Sequence, residues 1–135
     1  MLNFYNQLQV KDVMAKILIV DDSEALRTQL RKDLESHSHV VREAVDGLDG
    51  LNQLAKYQDT DLIICDVNMP KMDGLSMCAK INENPNHSNF KLFMLTTEAS
   101  PDMKTRGKEV GVKAWITKPY VLDKLLLAID KVCQK

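Results

Sequence analysis

The sequence predicts an α/β domain: a five-stranded parallel sheet with helices on both faces, wound as five consecutive β-α units. Three observations carry this. Ile17–Val20 (ILIV), Leu62–Cys65 (LIIC) and Leu92–Leu95 (LFML) are short, unbroken apolar runs, each followed by Asp or Thr. Runs of that kind fit strands buried on both sides, as in parallel sheets. Stretches with helical apolar spacing alternate with them, and such alternation predicts right-handed crossovers with helices on both faces. Finally, 135 residues is the length of one compact domain, able to bury about two-thirds of its unfolded surface without a disulfide or metal staple.

The elements follow in chain order. Residues 1–13 precede the first strand and read either as a frayed tail or as a short docked helix, with Phe4 and Leu8 one turn apart; Met14 is also a possible start of a shorter form. Ile17–Val20 is the first strand. Ser23 then caps a helix with Ala25, Leu26, Leu30 and Leu34 at helical spacing. Val40–Val41 marks a weaker second strand, and residues 47–57 a helix with Leu48, Leu51, Leu54 and Ala55 on one face. Leu62–Cys65 is the third strand; the helix Leu75–Ile81 stops near Asn84–Pro85, because a residue before proline disfavours helix. Leu92–Leu95 is the fourth strand. Ser100–Pro101 supplies a cap and first turn for a helix running to Gly111, and Gly107 inside it costs about 1 kcal/mol relative to Ala. Ala114–Ile116 is the fifth strand, and Val121–Cys133 the last helix, with a stripe of Leu122, Leu125, Leu126, Ile129 and Val132.

Composition excludes several classes of function. Lys and Arg total 18 against 19 Asp and Glu, a formal net charge of −1, without any Lys/Arg run. That balance lacks the positive field of a nucleic-acid binder. No apolar stretch reaches the roughly 18 residues that cross a bilayer, and the start lacks the basic and apolar blocks of a secretory signal. Cys65, Cys78 and Cys133 are odd in number and widely spaced, which suits reduced core thiols of a cytoplasmic protein.

The chemistry should sit beyond the carboxyl ends of the strands, where open α/β sheets bind ligands. There the sequence places Asp21–Asp22 after the first strand, Asp66 after the third, Thr96–Thr97 after the fourth and Thr117–Lys118 after the fifth. Any one of these could be a simple cap or turn residue; the whole set on one edge is harder to explain that way. Two carboxylates about 4 Å apart repel by about 4 kcal/mol at an effective dielectric near 20, so a cation must share the space. Hard oxygen ligands without His or Cys suit Mg²⁺ or Mn²⁺. With Lys118 to meet an anion and Asp66 as a carboxylate nucleophile, these are the parts of phosphoryl transfer onto an aspartate.

At this point four motifs, in order and at characteristic spacing, become decisive: ILIVDDS at 17–23, DVNMPKMDG at 66–74, LTTEAS at 95–100 and WITKPY at 115–120. Together they closely resemble the receiver domains of bacterial two-component response regulators, and most of all the stand-alone CheY-like chemotaxis regulators. The resemblance covers residues 16–135, leaving 1–15 as a leader, and implies the flavodoxin-like (βα)5 architecture. It implies that Asp66 is the phosphoacceptor, that Asp22 ligates Mg²⁺ directly, that Asp21 does so largely through water, and that the Asn68 carbonyl is a further ligand. Lys118 would pair with phosphoryl oxygens, the Thr96 hydroxyl and Thr97 N–H would donate to them, and Lys118–Pro119 would be cis. Asn68 and Glu98 would border the path of the hydrolytic water and tune the lifetime of the phosphorylated state.

The departures matter as much. The switch aromatic, usually Tyr, Phe or His, is here Trp115, a bulkier ring that reads either as the rotameric switch or as a fixed partner-facing residue; Tyr120 is a mild variant. Gly107 should loosen the fourth helix. In Leu125–Leu127 at least one leucine should face solvent beside the fourth helix and fifth strand, the face through which the family signals. His37, His39 and His87 do not cluster and read as surface or loop residues. The implied partners are a sensor histidine kinase that supplies the phosphoryl group, a flagellar motor switch protein or histidine phosphotransfer protein as target, and a phosphatase; the chain itself is expected to be a monomer that turns over no free substrate. A phosphorelay intermediate and an excised receiver of a larger regulator stand as alternatives within the class. A flavodoxin-like electron carrier shares the architecture, but Asp21–Asp22 in the first loop would repel an FMN phosphate. A metal-dependent phosphohydrolase built on the same carboxylates is the other outside reading.

Overall fold

The computed structural model describes residues 14–87 and 89–134. The strands are β1 (Lys16–Val20), β2 (Val40–Ala44), β3 (Leu62–Cys65), β4 (Lys91–Thr96) and β5 (Val112–Thr117). The helices are α1 (Glu24–Glu35), α2 (Gly47–Lys56), α3 (Gly74–Glu83), α4 (Pro101–Glu109) and α5 (Leu122–Cys133), with a 3₁₀ turn at Pro85–His87. All five strands are parallel, in the order β2-β1-β3-β4-β5. This is the expected (βα)5 sheet with helices on both faces.

Strand alternation divides the core in two. Leu18, Val20, Ile63, Cys65, Leu92 and Met94 face α2, α3 and α4, meeting Leu54, Leu75, Met77, Cys78 and Ile81. Ile17, Ile19, Leu62, Ile64, Phe93 and Leu95 face α1 and α5, meeting Leu30, Leu34, Leu125 and Ile129. Side chains of this size contribute about 1.5–3 kcal/mol each when fully buried, which is what holds the strand ends in fixed relation. The three central strands are apolar on both faces because both faces are covered.

The edge strands differ from expectation. β2 runs on to Ala44 because Arg42 and Glu43 are held by ion pairs: Arg27 and Arg31 reach Glu43 at 2.9 and 2.7 Å, and Asp59 meets Arg42 at 2.8 Å. β5 likewise extends from Val112 to Thr117. Leu48 does not join the α2 face that packs on the sheet; it is 44% exposed, as Gly47 and Gly50 take the close-packed positions. Adding a Cβ at Gly47 would bring it to 2.6 Å from the Met72 carbonyl, so only glycine lets α2 approach the loop after β3. The docked or frayed segment expected over 1–13, with Phe4 and Leu8, lies outside the described residues.

The histidine reading needs correction. His39 is only 5% exposed, and its Nδ1 accepts the backbone N–H of Ala15 at 3.0 Å; burial lowers its pKa despite Asp130 nearby. His87 stacks on Phe90 with centroids 5.0 Å apart, while His37 is exposed. Among the cysteines, Cys65 and Cys78 are buried, with their sulfurs 3.7 Å apart. No helix among the described residues is long and apolar enough to cross a membrane.

Candidate functional site

The site lies where the strand order reverses, between β1 and β3. The register pairs Val20 with Cys65, so the next residues, Asp21 and Asp66, emerge side by side. Each is tied at its backbone: Asp21 N–H donates to the Ala44 carbonyl and Asp66 N–H to the Val20 carbonyl, both at 3.1 Å. Asp21 and Asp66 are buried and Asp22 is exposed. One carboxylate oxygen from each of the three lies within 4.8 Å of the others.

Lys118 reaches this cluster from the end of β5. Its Nζ stands 2.9 Å from Asp21 Oδ2 and 3.0 Å from Asp66 Oδ2. Burial alone would lower the lysine pKa, but bonds to Asp21 and Asp66 outweigh it and the net shift is upward, so the ammonium stays charged. Lys118–Pro119 is cis, as expected, and the Lys118 N–H donates to the Thr96 carbonyl at 2.9 Å. Tyr120, two residues on, donates its hydroxyl to Asp33 Oδ2 at 2.6 Å and anchors this loop to α1.

The remaining expected residues gather on the neighbouring loops. Thr96 is fully buried at the end of β4, and Thr97 is exposed beside it. Asn68 Nδ2 donates to Glu98 Oε1 at 2.9 Å, joining the loops after β3 and β4. Glu98 N–H donates to Thr96 Oγ1 at 3.2 Å. Trp115 is half-buried, and its Nε1–H donates to the Glu98 carbonyl at 2.8 Å. Thr117, also at the carboxyl edge, is exposed and, among the described residues, lies outside the carboxylate cluster.

Sequence reasoning missed three contributors. Arg27 Nη1 donates to the Asp21 carbonyl at 2.6 Å while its Nε pairs with Glu43, bracing the start of the acidic loop. Ser23 N–H donates to Asp21 Oδ1 at 2.8 Å, which orients that carboxylate. Gly107, which costs α4 helix propensity, is also buried, and a Cβ there would stand 3.0 Å from the Trp115 ring. Its absence of side chain makes room for the indole. Nothing in the sequence gave the Arg27 contact away, since an arginine in the first turns of an exposed helix is unremarked on its own.

The donor set fits a hard divalent cation. Three carboxylate oxygens converge, without His or Cys, and among the described residues the cation paired with them is Lys118, whose one charge does not balance three; Mg²⁺ or Mn²⁺ matches that oxygen-only chemistry. Such an ion would be held by Asp21, Asp22 and Asp66, and when bound would neutralise charge on a phosphoryl group.

Comparison with known proteins agrees with this fold. Residues 17–130 match the response regulator receiver domain. The chain belongs to the response regulator receiver family. It is 34% identical over 119 residues to protein PilH of Pseudomonas aeruginosa, covering 88% of this chain and 98% of PilH. It is 31% identical to the DNA-binding dual master transcriptional regulator RpaA of Synechocystis, matching 90% of this chain but only 50% of RpaA. Against response regulator MprA of Mycobacterium it likewise spans 47% of the relative's length. In structure, the receiver resembles the chemotaxis protein CheY4 of Vibrio cholerae, with a TM-score of 0.82 and 37% identity over 89% of this chain and 99% of that one. It is thus a receiver of two-component signalling with chemotaxis-type relatives.

Proposed function

We propose that the chain is a phosphorylation-dependent switch in which Asp66 accepts a phosphoryl group from the phosphohistidine of a sensor kinase. The observation that carries this reading is the placement of Asp66: it shares a carboxylate cluster with Asp21 and Asp22 and is held 3.0 Å from Lys118 Nζ. In this reading an Asp66 oxygen attacks phosphorus in line as the bond to the donor nitrogen breaks, and the imidazole leaves neutral after taking up a proton. Asp22, Asp66 and the Asn68 carbonyl, with Asp21 largely through water, would hold a Mg²⁺. Lys118 changes partner, leaving Asp66 Oδ2 for a phosphoryl oxygen, while the Thr96 hydroxyl and Thr97 N–H donate to the others. These groups position and neutralise, which is what a loose phosphoryl-transfer transition state requires.

The domain then acts on itself alone and turns over no free substrate. PilH and CheY4 are matched over nearly their whole lengths, a likeness that favours residues 16–135 acting as one receiver unit. A chemotaxis-type output in the cytoplasm, through a motor switch or phosphotransfer protein and reset by a phosphatase, follows from the same likeness. The surface for that output is a groove along β5 and α5, of about 280 Å³, lined by Trp115, Ile116, Pro119, Val121, Leu125 and Ala128. Of Leu125–Leu127, Leu127 is the solvent-facing leucine, 65% exposed; it does not line the groove, whose apolar rim is Val121.

Intact mass after incubation with Mg²⁺ and acetyl phosphate tests the reading. Wild type should gain one metal-dependent, base-labile phosphoryl group and Asp66→Ala none. An equal adduct on the variant would refute it.

A further inference from the structure

We propose that Trp115 is a positioning residue that sets how long a phosphoryl group survives on Asp66, acting through Glu98. The inference rests on the reading of Asp66 as the phosphoacceptor and goes beyond it, because it joins the outer aromatic side chain to the rate of hydrolysis. Glu98 is a three-way junction. Its N–H donates to Thr96 Oγ1 at 3.2 Å, its carbonyl accepts from Trp115 Nε1 at 2.8 Å, and its carboxylate accepts from Asn68 Nδ2 at 2.9 Å.

Each arm has a distinct consequence. Because Thr96 Oγ1 already accepts from Glu98, its own hydrogen is free to be donated. The Asn68–Glu98 bond bridges the loops after β3 and β4, two residues beyond Asp66 on one side and two beyond Thr96 on the other, so it ties together the two loops that follow those site residues. A hydrogen bond as exposed as this one is weak when its partners must first be ordered. The ordering comes from Trp115, whose indole N–H fixes the Glu98 backbone. The ring in turn is seated against Gly107 of α4, where a Cβ would come within 3.0 Å of it.

Loss of the phosphoryl group needs a water oxygen to bond to phosphorus. The phosphorus–oxygen bond to Asp66 breaks, its electron pair returns to the carboxylate, and both water protons leave with phosphate as dihydrogen phosphate. The Glu98 carboxylate, strapped in place by Asn68, narrows and charges the path of that water. Freeing Glu98 opens the path.

The test follows decay of the intact-mass adduct after the phosphodonor is removed, in constant Mg²⁺. Trp115→Phe keeps an aromatic ring and deletes the N–H; it should speed decay by about two- to tenfold, the worth of one net hydrogen bond. Asn68→Ala, at an exposed position, should speed decay to a similar degree. The double variant should decay no faster than the faster single one, since both cut the same strap. Multiplying effects, or an unchanged rate in Trp115→Phe, would overturn the proposal. A second readout needs no folded Trp115 variant: Trp115 is the one tryptophan in the chain, so Asn68→Ala should shift its emission, and an unmoved spectrum would count against the coupling. If wild type forms no adduct at all, the phosphoacceptor reading fails and takes this inference with it, an outcome distinct from an adduct whose decay ignores Trp115.

Discussion

Replacing Asp66 by Asn should leave the metal-free domain as stable as wild type or more stable. Two opposed effects decide the sign. The substitution forfeits the attraction between Asp66 and Lys118 at 3.0 Å, about 5.5 kcal/mol at an effective dielectric near 20. It also removes repulsion between Asp66 and two carboxylates no more than 4.8 Å away, at least about 3.5 kcal/mol for each pair on the same scale. Repulsion therefore exceeds attraction by about 1.5 kcal/mol, and solvent at exposed Asp22 screens that towards zero. Lys118 keeps Asp21 at 2.9 Å, and the Asn oxygen can still accept the Val67 N–H that Asp66 Oδ1 takes at 2.7 Å. Urea melts in excess chelator should place the variant between no change and about 1.5 kcal/mol more stable, with the same m-value. With Mg²⁺ the ranking should reverse, because an ion that binds the native state stabilises it by mass action and wild type holds it better. A clear loss of stability in the metal-free melt would refute the repulsive pocket.

Three further outcomes follow. Lys118→Met leaves three crowded carboxylates without their ammonium; it should destabilise the metal-free protein by about 1–3 kcal/mol, and Mg²⁺ should recover most of that in the same melts. His39 is held neutral by burial and accepts the Ala15 N–H, so its folded pKa lies below its unfolded one. Its contribution is present above the unfolded pKa and is lost as pH falls through the folded one; stability should drop as pH falls below the ordinary histidine value of about 6.5, and His39→Gln should flatten that slope. Gly107→Ala gains about 1 kcal/mol of helix propensity but crowds the Trp115 ring, so thermal melts should show less than that gain while the tryptophan emission shifts.

The central strands were readable in the sequence because burial on both faces makes Ile17–Val20, Leu62–Cys65 and Leu92–Leu95 continuously apolar, a pattern independent of distant contacts. The edge strands were readable only in part, as Val40–Val41 and Ala114–Ile116, since β2 also carries Arg42 and Glu43, whose strand conformation depends on ion pairs to Arg27, Arg31 and Asp59. Asp21, Asp22, Asp66 and Lys118 could be placed together because strand ends of a parallel sheet share one edge. What spacing could not give is which side chain bonds to which. The Glu98 junction depends on a backbone carbonyl meeting an indole nitrogen 17 residues on, and the purpose of Gly107 on the ring that fills its missing Cβ. His39 was misread for the same reason: a polar residue beside a strand signals solvent unless one knows that Ala15 N–H needs an acceptor.

The most direct test of the switch is to locate the phosphoryl group. Protein treated with acetyl phosphate and Mg²⁺ would be reduced with borohydride, which converts an aspartyl phosphate to homoserine, and its peptides sequenced by mass spectrometry. The account predicts homoserine at position 66 in place of Asp66 and at no other aspartate. Conversion at Asp21 or Asp22, or at none while the protein remains folded and Mg²⁺ is bound, would contradict it.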